Sequence, residues 1–190
     1  MLKSTLKTLA LSSIVATGFA ATAQADAHAM NPMVGGAEMS PEMNIVENAM
    51  NSPIHTTLVA AVVAAEMAET LQGEGPFTVF APTDEAFAAI PAETLEQLMM
   101  PEHRAQLQQI LGCHVVATEA FAADIIGMIN DDGGMHPVPT VGGCTLQAQL
   151  DGDMVTLTDE RGQVATVTIA DVDQSNGVIH VIDTVLLPAE

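Results

Sequence analysis

The spacing of apolar residues changes character near the middle of the chain. From Asn44 onward, Ile45, Val46, Ala49 and Met50 recur at helical intervals. After Ser52-Pro53, residues 57–71 set Leu58, Val62, Ala65 and Leu71 among Ala and Glu, so two helices flank a proline-marked turn. The second begins at Thr56 or Thr57, either of which can serve as its cap. Gly73-Glu74-Gly75-Pro76 breaks the pattern, and Phe77-Thr78-Val79-Phe80-Ala81 alternates as a strand. Pro82-Thr83 then opens a helix: the Thr83 hydroxyl can accept an amide hydrogen bond, and Asp84 and Glu85 stand where the helix dipole favours negative charge. Pro91 and Pro101 each start a short helix, over 92–99 and 102–111, and Gly112 ends the second.

Beyond Gly112 the pattern turns to strand. Residues 113–116 predict a short strand, 120–129 a helical turn or short helix, and 130–134 a loop. Three runs at 145–150, 154–158 and 163–170 follow. They are separated by Asp151-Gly152-Asp153 and Asp159-Glu160-Arg161-Gly162, both of hairpin-turn chemistry. After Ser175-Asn176-Gly177, residues 178–187 predict a final long strand ended by Pro188. Helices in the first half and antiparallel strands in the second predict an α+β fold.

The N-terminus reads differently. Lys3 and Lys7 precede an apolar run through Leu9, Ile14, Val15 and Phe19, and Ala23-Gln24-Ala25 supplies a small-x-small site, the order of a secretory signal peptide. The run is shorter than the roughly 20 residues a spanning helix needs, so no membrane segment is expected after its removal. The expected organisation is a signal peptide at 1–25, an irregular Met- and Gly-rich arm at 26–43 and one folded domain at 44–190, in a secreted or periplasmic protein. Charge sharpens the picture. The chain has 24 acidic and four basic residues, a formal net charge of −20 at pH 7, and the signal holds two of the four. Such a surface repels phosphate backbones and anionic lipids, which excludes nucleic acid as a partner. With no Trp or Tyr, the core must be aliphatic, and aromatic platforms for stacking sugars or bases are missing.

Two segments stand out together. Residues 75–87 read GPFTVFAPTDEAF, with Phe77, Thr78, Val79, Phe80, Ala81, Pro82, Thr83, Asp84 and Phe87. Residues 175–188 read SNGVIHVIDTVLLP, with Asn176, Gly177, Val178, Ile179, His180, Val181, Ile182 and Asp183. Between them lies Leu111-Gly112-Cys113-His114-Val115-Val116. In order and spacing the chain resembles the fasciclin domain over residues 44–188: the two segments are similar to its signature boxes and His114 to the His of its central Tyr-His motif, with Cys113 where Tyr is usual. Met33-Val34-Gly35-Gly36-Ala37 is similar to the lead-in of bacterial single-domain members. The resemblance implies a wedge-shaped β-sandwich with a helical cluster from the N-terminal half, in which the two boxes form neighbouring core strands. It also implies an adhesion or interaction module acting on a protein or glycan partner at a cell surface, matrix or biofilm, without catalysis or cofactor. Asp171-Val172, just ahead of Asn176-Gly177, matches the place of an adhesive Asp-aliphatic pair in some animal members, although Ile169, Ala170 and Asp173 depart from those motifs; the plain alternative is an exposed strand end.

Candidate chemistry adds little to this. Cys113 and Cys144 are the two cysteines. An even count in an exported chain favours a disulfide, worth roughly 3 to 4 kcal/mol for a loop of about 31 residues; two separately buried thiols are the alternative. His114 and His180 fall in apolar strands, as metal ligands or bases on one reading and as neutral core histidines on the plainer one. Asp151, Asp153, Asp159 and Glu160 crowd two turns but lack a calcium loop's spacing, and solvated hairpin tips are expected. No nucleophile motif is present. Cleavage after Ala25 leaves Asp26-Ala27-His28, whose amine, amides and His28 imidazole suit Cu(II); cleavage after Ala27 or Ala29 destroys that set. A periplasmic copper- or small-ligand-binding protein using the arm is therefore the second functional reading.

Overall fold

The computed structural model describes residues 31–189; the expected signal peptide and His28 lie outside them. The helical half comprises α1 (Ile45–Asn51), α2 (Thr56–Ala64), α3 (Ala68–Leu71), α4 (Asp84–Ala88), α5 (Ala92–Leu98) and α6 (Arg104–Gly112). Asn44 caps α1 by accepting from the amides of Val46 and Glu47, while Glu47 returns a bond to the Asn44 amide. The run expected to be one helix over 57–71 is two, because Glu66 takes a positive φ of 56° between α2 and α3.

The strands are β1 (Phe77–Pro82), β2 (Val115–Val116), β3 (Met135–Pro139), β4 (Thr145–Asp151), β5 (Met154–Thr158), β6 (Val164–Gln174) and β7 (Gly177–Ile182), with helix α7 (Ala122–Asp131) between β2 and β3. They form one seven-stranded sheet in the order β2-β1-β7-β6-β5-β4-β3. The two boxes lie side by side as expected: β1 and β7 run parallel, from Phe77 opposite Gly177 to Pro82 opposite Ile182, and the other pairings are antiparallel. Three strand expectations need correction. β3 falls where a loop ran into unassigned chain. β6 continues past Ala170 to Gln174 through irregularities between Val167 and Val172. β7 stops at Ile182, where the Asp183 carboxylate accepts the Thr166 amide and ties the strand end to β6.

The alternation of β1 and β7 divides the core. Val79, Ala81, Ile179 and Val181 pack with Leu58, Ala61, Phe87 and Leu111 beneath the helices. Phe80 and Ile182 point the other way, joining Leu146, Ala148, Leu157, Val167 and Ile129 of α7 inside the curled sheet. Strands buried on both faces read as continuous apolar runs, which explains the box sequences. Val34 and Met39, in the segment before α1, are also buried in the helical core.

The sheet's two edges meet. The Val141 amide donates to the Val115 carbonyl at 2.8 Å and the Gly142 amide to the Gly112 carbonyl at 2.9 Å. A Cβ on Gly112 would meet the Gly142 backbone at 2.6 Å, so this contact needs glycine on both sides. Cys113 and Cys144 form a disulfide beside it, with a Cα–Cα separation of 5.3 Å.

Candidate functional site

Most polar side chains of the motif segments bond within the fold, while Glu85 and Ser175 are exposed. Asn176 accepts the Ile45 amide at 3.1 Å and donates to the carbonyls of Leu71 and Gly73 at 2.8 and 3.0 Å, joining the β6–β7 turn to α1 and to the end of α3. Thr78 donates to the Thr118 carbonyl and accepts the Ala120 amide. Thr83 caps α4 by accepting the Ala86 amide. Asp84 turns away from its own helix: its carboxylate accepts the amides of Thr56 and Thr57 and the Thr56 hydroxyl, supplying α2 with the cap that His55 does not provide. Burial pushes the Asp84 carboxyl up, but the Thr56 and Thr57 donors together hold it below the usual carboxylate range.

The two motif histidines are fully enclosed. His114 donates from Nδ1 to the Ile110 carbonyl at 2.8 Å and accepts the Leu186 amide at Nε2 at 2.9 Å, so both ring nitrogens are satisfied in one neutral tautomer. Burial lowers its pKa to about 4, against the opposing pull of the Ile110 carbonyl and the Asp159 carboxylate. His180 donates from Nε2 to the Ala120 carbonyl and accepts the Asp171 amide at Nδ1, and its ring stacks on Phe80. Burial lowers its pKa as well. A third histidine, His55, is also buried and lies 2.7 Å through Nδ1 from the Ser52 hydroxyl.

The Asp171-Val172 pair sits at the irregular stretch of β6 and is not an exposed strand end. Asp171 takes a φ of 58°, and its carboxylate accepts the Ala122 amide at 2.6 Å, capping α7. Val172 is wholly buried in the helical core. Both side chains thus face the fold. Nor are the four turn acids alike. Asp151 and Asp153 are exposed. Asp159 is buried, accepting the amides of Arg161, Gln163 and Leu187, and Glu160 accepts those of Thr145 and Ala189. The second turn is therefore a latch for the C-terminal segment, and the expectation of solvated tips holds only at the first. Among the described residues no group of three or more His, Cys, Asp or Glu converges in a way that could hold a metal ion.

One further network lies outside the motif segments. Asn48, fully buried in α1, accepts the Ser40 amide, donates to the Ser40 carbonyl and donates to the Gln174 side chain, which in turn donates to the Val172 carbonyl. Asn31 pairs through its amide with both backbone groups of Asp173. The signal that could have revealed it is Asn48 itself, a polar residue on the buried stripe of α1 that needs a partner.

Comparison with known proteins places these features in a family. The fasciclin domain model matches residues 53–188. Protein sll1483 of Synechocystis is 43% identical over 182 residues, covering 90% of this chain and 92% of that protein. The transforming growth factor-beta-induced protein ig-h3 of Sus scrofa is 32% identical over 179 residues, which is 92% of this chain and 24% of the longer relative. In structure the chain is similar to a FAS1 domain pair from the insect cell adhesion molecule Fasciclin I, with a TM-score of 0.68 at 19% identity, over 76% of this chain and 51% of that one. Parallel pairing of the two boxes, inward-turned motif side chains and a family match spanning both core clusters agree: the chain belongs to the fasciclin domain family.

Proposed function

We propose that the chain is an exported, non-enzymatic interaction module that makes adhesive contacts with a protein or glycan partner at a cell surface, matrix or biofilm. The observation that carries this reading is the fate of the motif polar groups. Thr78, Thr83, Asp84, His114, Asn176, His180 and Asp183 all bond within the fold, so their work is to hold the domain and not to meet a substrate. Recognition then falls to the exposed, mostly acidic side chains outside the boxes. The insect neighbour's role as a cell adhesion molecule supports the same kind of use here. In this reading Asp171 and Val172 shape the start of α7 and the core, and an acidic surface favours partners that present basic groups.

Export follows from residues 1–25 in this proposal, with Asp26 as the first residue of the mature chain. Deleting the gene and measuring surface attachment together with copper sensitivity tests the function. Loss of attachment, restored by the intact gene, is the expected outcome. Unchanged attachment with new copper sensitivity would overturn it in favour of a metal-handling arm around His28, and mass spectrometry of the mature terminus shows whether that chelating sequence is exposed at all.

A further inference from the structure

The curled sheet is not filled everywhere. Between β1, β2, α7 and β3 lies a pocket of 260 Å³, walled by Phe80, Val116, Ile125, Met128 and Val138, with His136 among them. Alternation along β3 puts His136 on the same side as Val138, which faces the core. At the end of α7, Asp132 reaches back so that its Oδ2 lies 2.6 Å from His136 Nδ1. That contact fixes the ring. With Nδ1 held by the Asp132 carboxylate, the ring keeps one further hydrogen-bonding group, Nε2, which has no partner among the described residues. The other polar side chains in the wall are the Thr78 hydroxyl, already engaged as donor and acceptor, and the Thr118 hydroxyl, which donates to the Glu119 carbonyl.

We propose that this pocket binds a small neutral molecule, apolar over most of its surface and bearing one hydroxyl, in the class of phenols and cyclic alcohols. Its hydroxyl, which can donate or accept, hydrogen-bonds to His136 Nε2, and its apolar body lies against Phe80 and the aliphatic side chains of the wall. The volume exceeds the roughly 150 Å³ that admits a benzene-sized guest and falls just below the ordinary range of about 300 Å³ and upward for ligand sites. Carboxylates are disfavoured, because the wall contains no Lys or Arg and Asp132 stands beside the ring. Binding here rests on the pocket alone and does not depend on the adhesive reading.

The test is calorimetric titration of the purified protein with p-cresol, toluene and benzoate. We expect p-cresol to bind about 3- to 10-fold more tightly than toluene, the worth of one hydrogen bond, and benzoate to bind least. His136→Ala should bring p-cresol to the level of toluene. Ala120→Leu adds bulk to the pocket wall at a half-buried position while sparing the backbone bonds of Ala120, and should abolish binding of all three. Circular dichroism of both variants confirms that they fold. The proposal is overturned if toluene binds the unmodified protein as tightly as p-cresol, if benzoate binds best, if no probe binds, if folded His136→Ala still prefers p-cresol over toluene, or if folded Ala120→Leu still binds p-cresol.

Discussion

Three buried histidines make this fold sensitive to acid. His114 is held to a pKa of about 4, and burial also lowers those of His180 and His55, against nearby carboxylates of Asp159, Asp171 and Asp84 respectively. In the unfolded chain each takes up a proton near 6.5, the ordinary value for histidine; in the folded chain each resists until lower pH. The unfolded state therefore binds more protons in between, and the stability these residues confer, complete above that value, is lost as pH falls through the window. For His114 alone the displacement corresponds to about 3 kcal/mol. Urea denaturation in high salt, which suppresses general charge repulsion, should show the midpoint falling between about pH 7 and about pH 4. A midpoint that stays level or rises would sink the idea. The sequence places His114 and His180 in apolar strands, which is enough to suspect burial. It does not show their acceptors and donors, because Ile110, Leu186, Ala120 and Asp171 come from other elements.

Two helices here take a cap from distant chain. Asp84 caps α2 and Asp171 caps α7, although each belongs to another element. Replacing Asp84 with Ala should cost about 1 to 2 kcal/mol, with Asp84→Asn falling between that and the parent because one carbonyl acceptor remains. Thermal melts at neutral pH measure both, and equal melting of parent and Ala variant would refute the borrowed cap. The contribution of Asp84 is present above its unfolded value of 3.8 and is lost as pH falls through its lowered folded value. Legibility varies between elements for the same kind of reason. β1 and β7 are plain in the sequence because both faces are buried and turn residues flank them. β3 is hidden because Pro137 and Pro139 remove two amide donors; being two residues apart, both missing donors face the side away from β4, which an edge strand tolerates. The break between α2 and α3 falls at Glu66, with no Gly or Pro to announce it. The Asp132–His136 contact joins a helix end to an edge strand, and periodicity marks neither residue.

At the scale of the whole molecule, the disulfide stands where the sheet's edges meet. Replacing Cys113 and Cys144 together with Ser should lower stability by roughly 3 to 4 kcal/mol, measured by urea denaturation. Faster amide exchange at Val141 and Gly142 than in β7 should accompany it, since those two amides hold the seam. A double variant as stable as the parent would show that the seam holds without the bridge. The place of β7 has a different consequence. It comes last of the strands in the chain, yet it lies between β1 and β6 in the sheet, about 100 residues from its parallel partner β1 by register. Until its residues are present, β1 has only the two-residue β2 beside it and β6 has β5 alone. A ribosome making this protein therefore releases the other six strands before the central pairing can form, and no N-terminal fragment ending before Gly177 holds the sheet together. The protein stays threadable through a narrow pore for most of its synthesis, and proteolytic resistance should appear only when its last strand arrives.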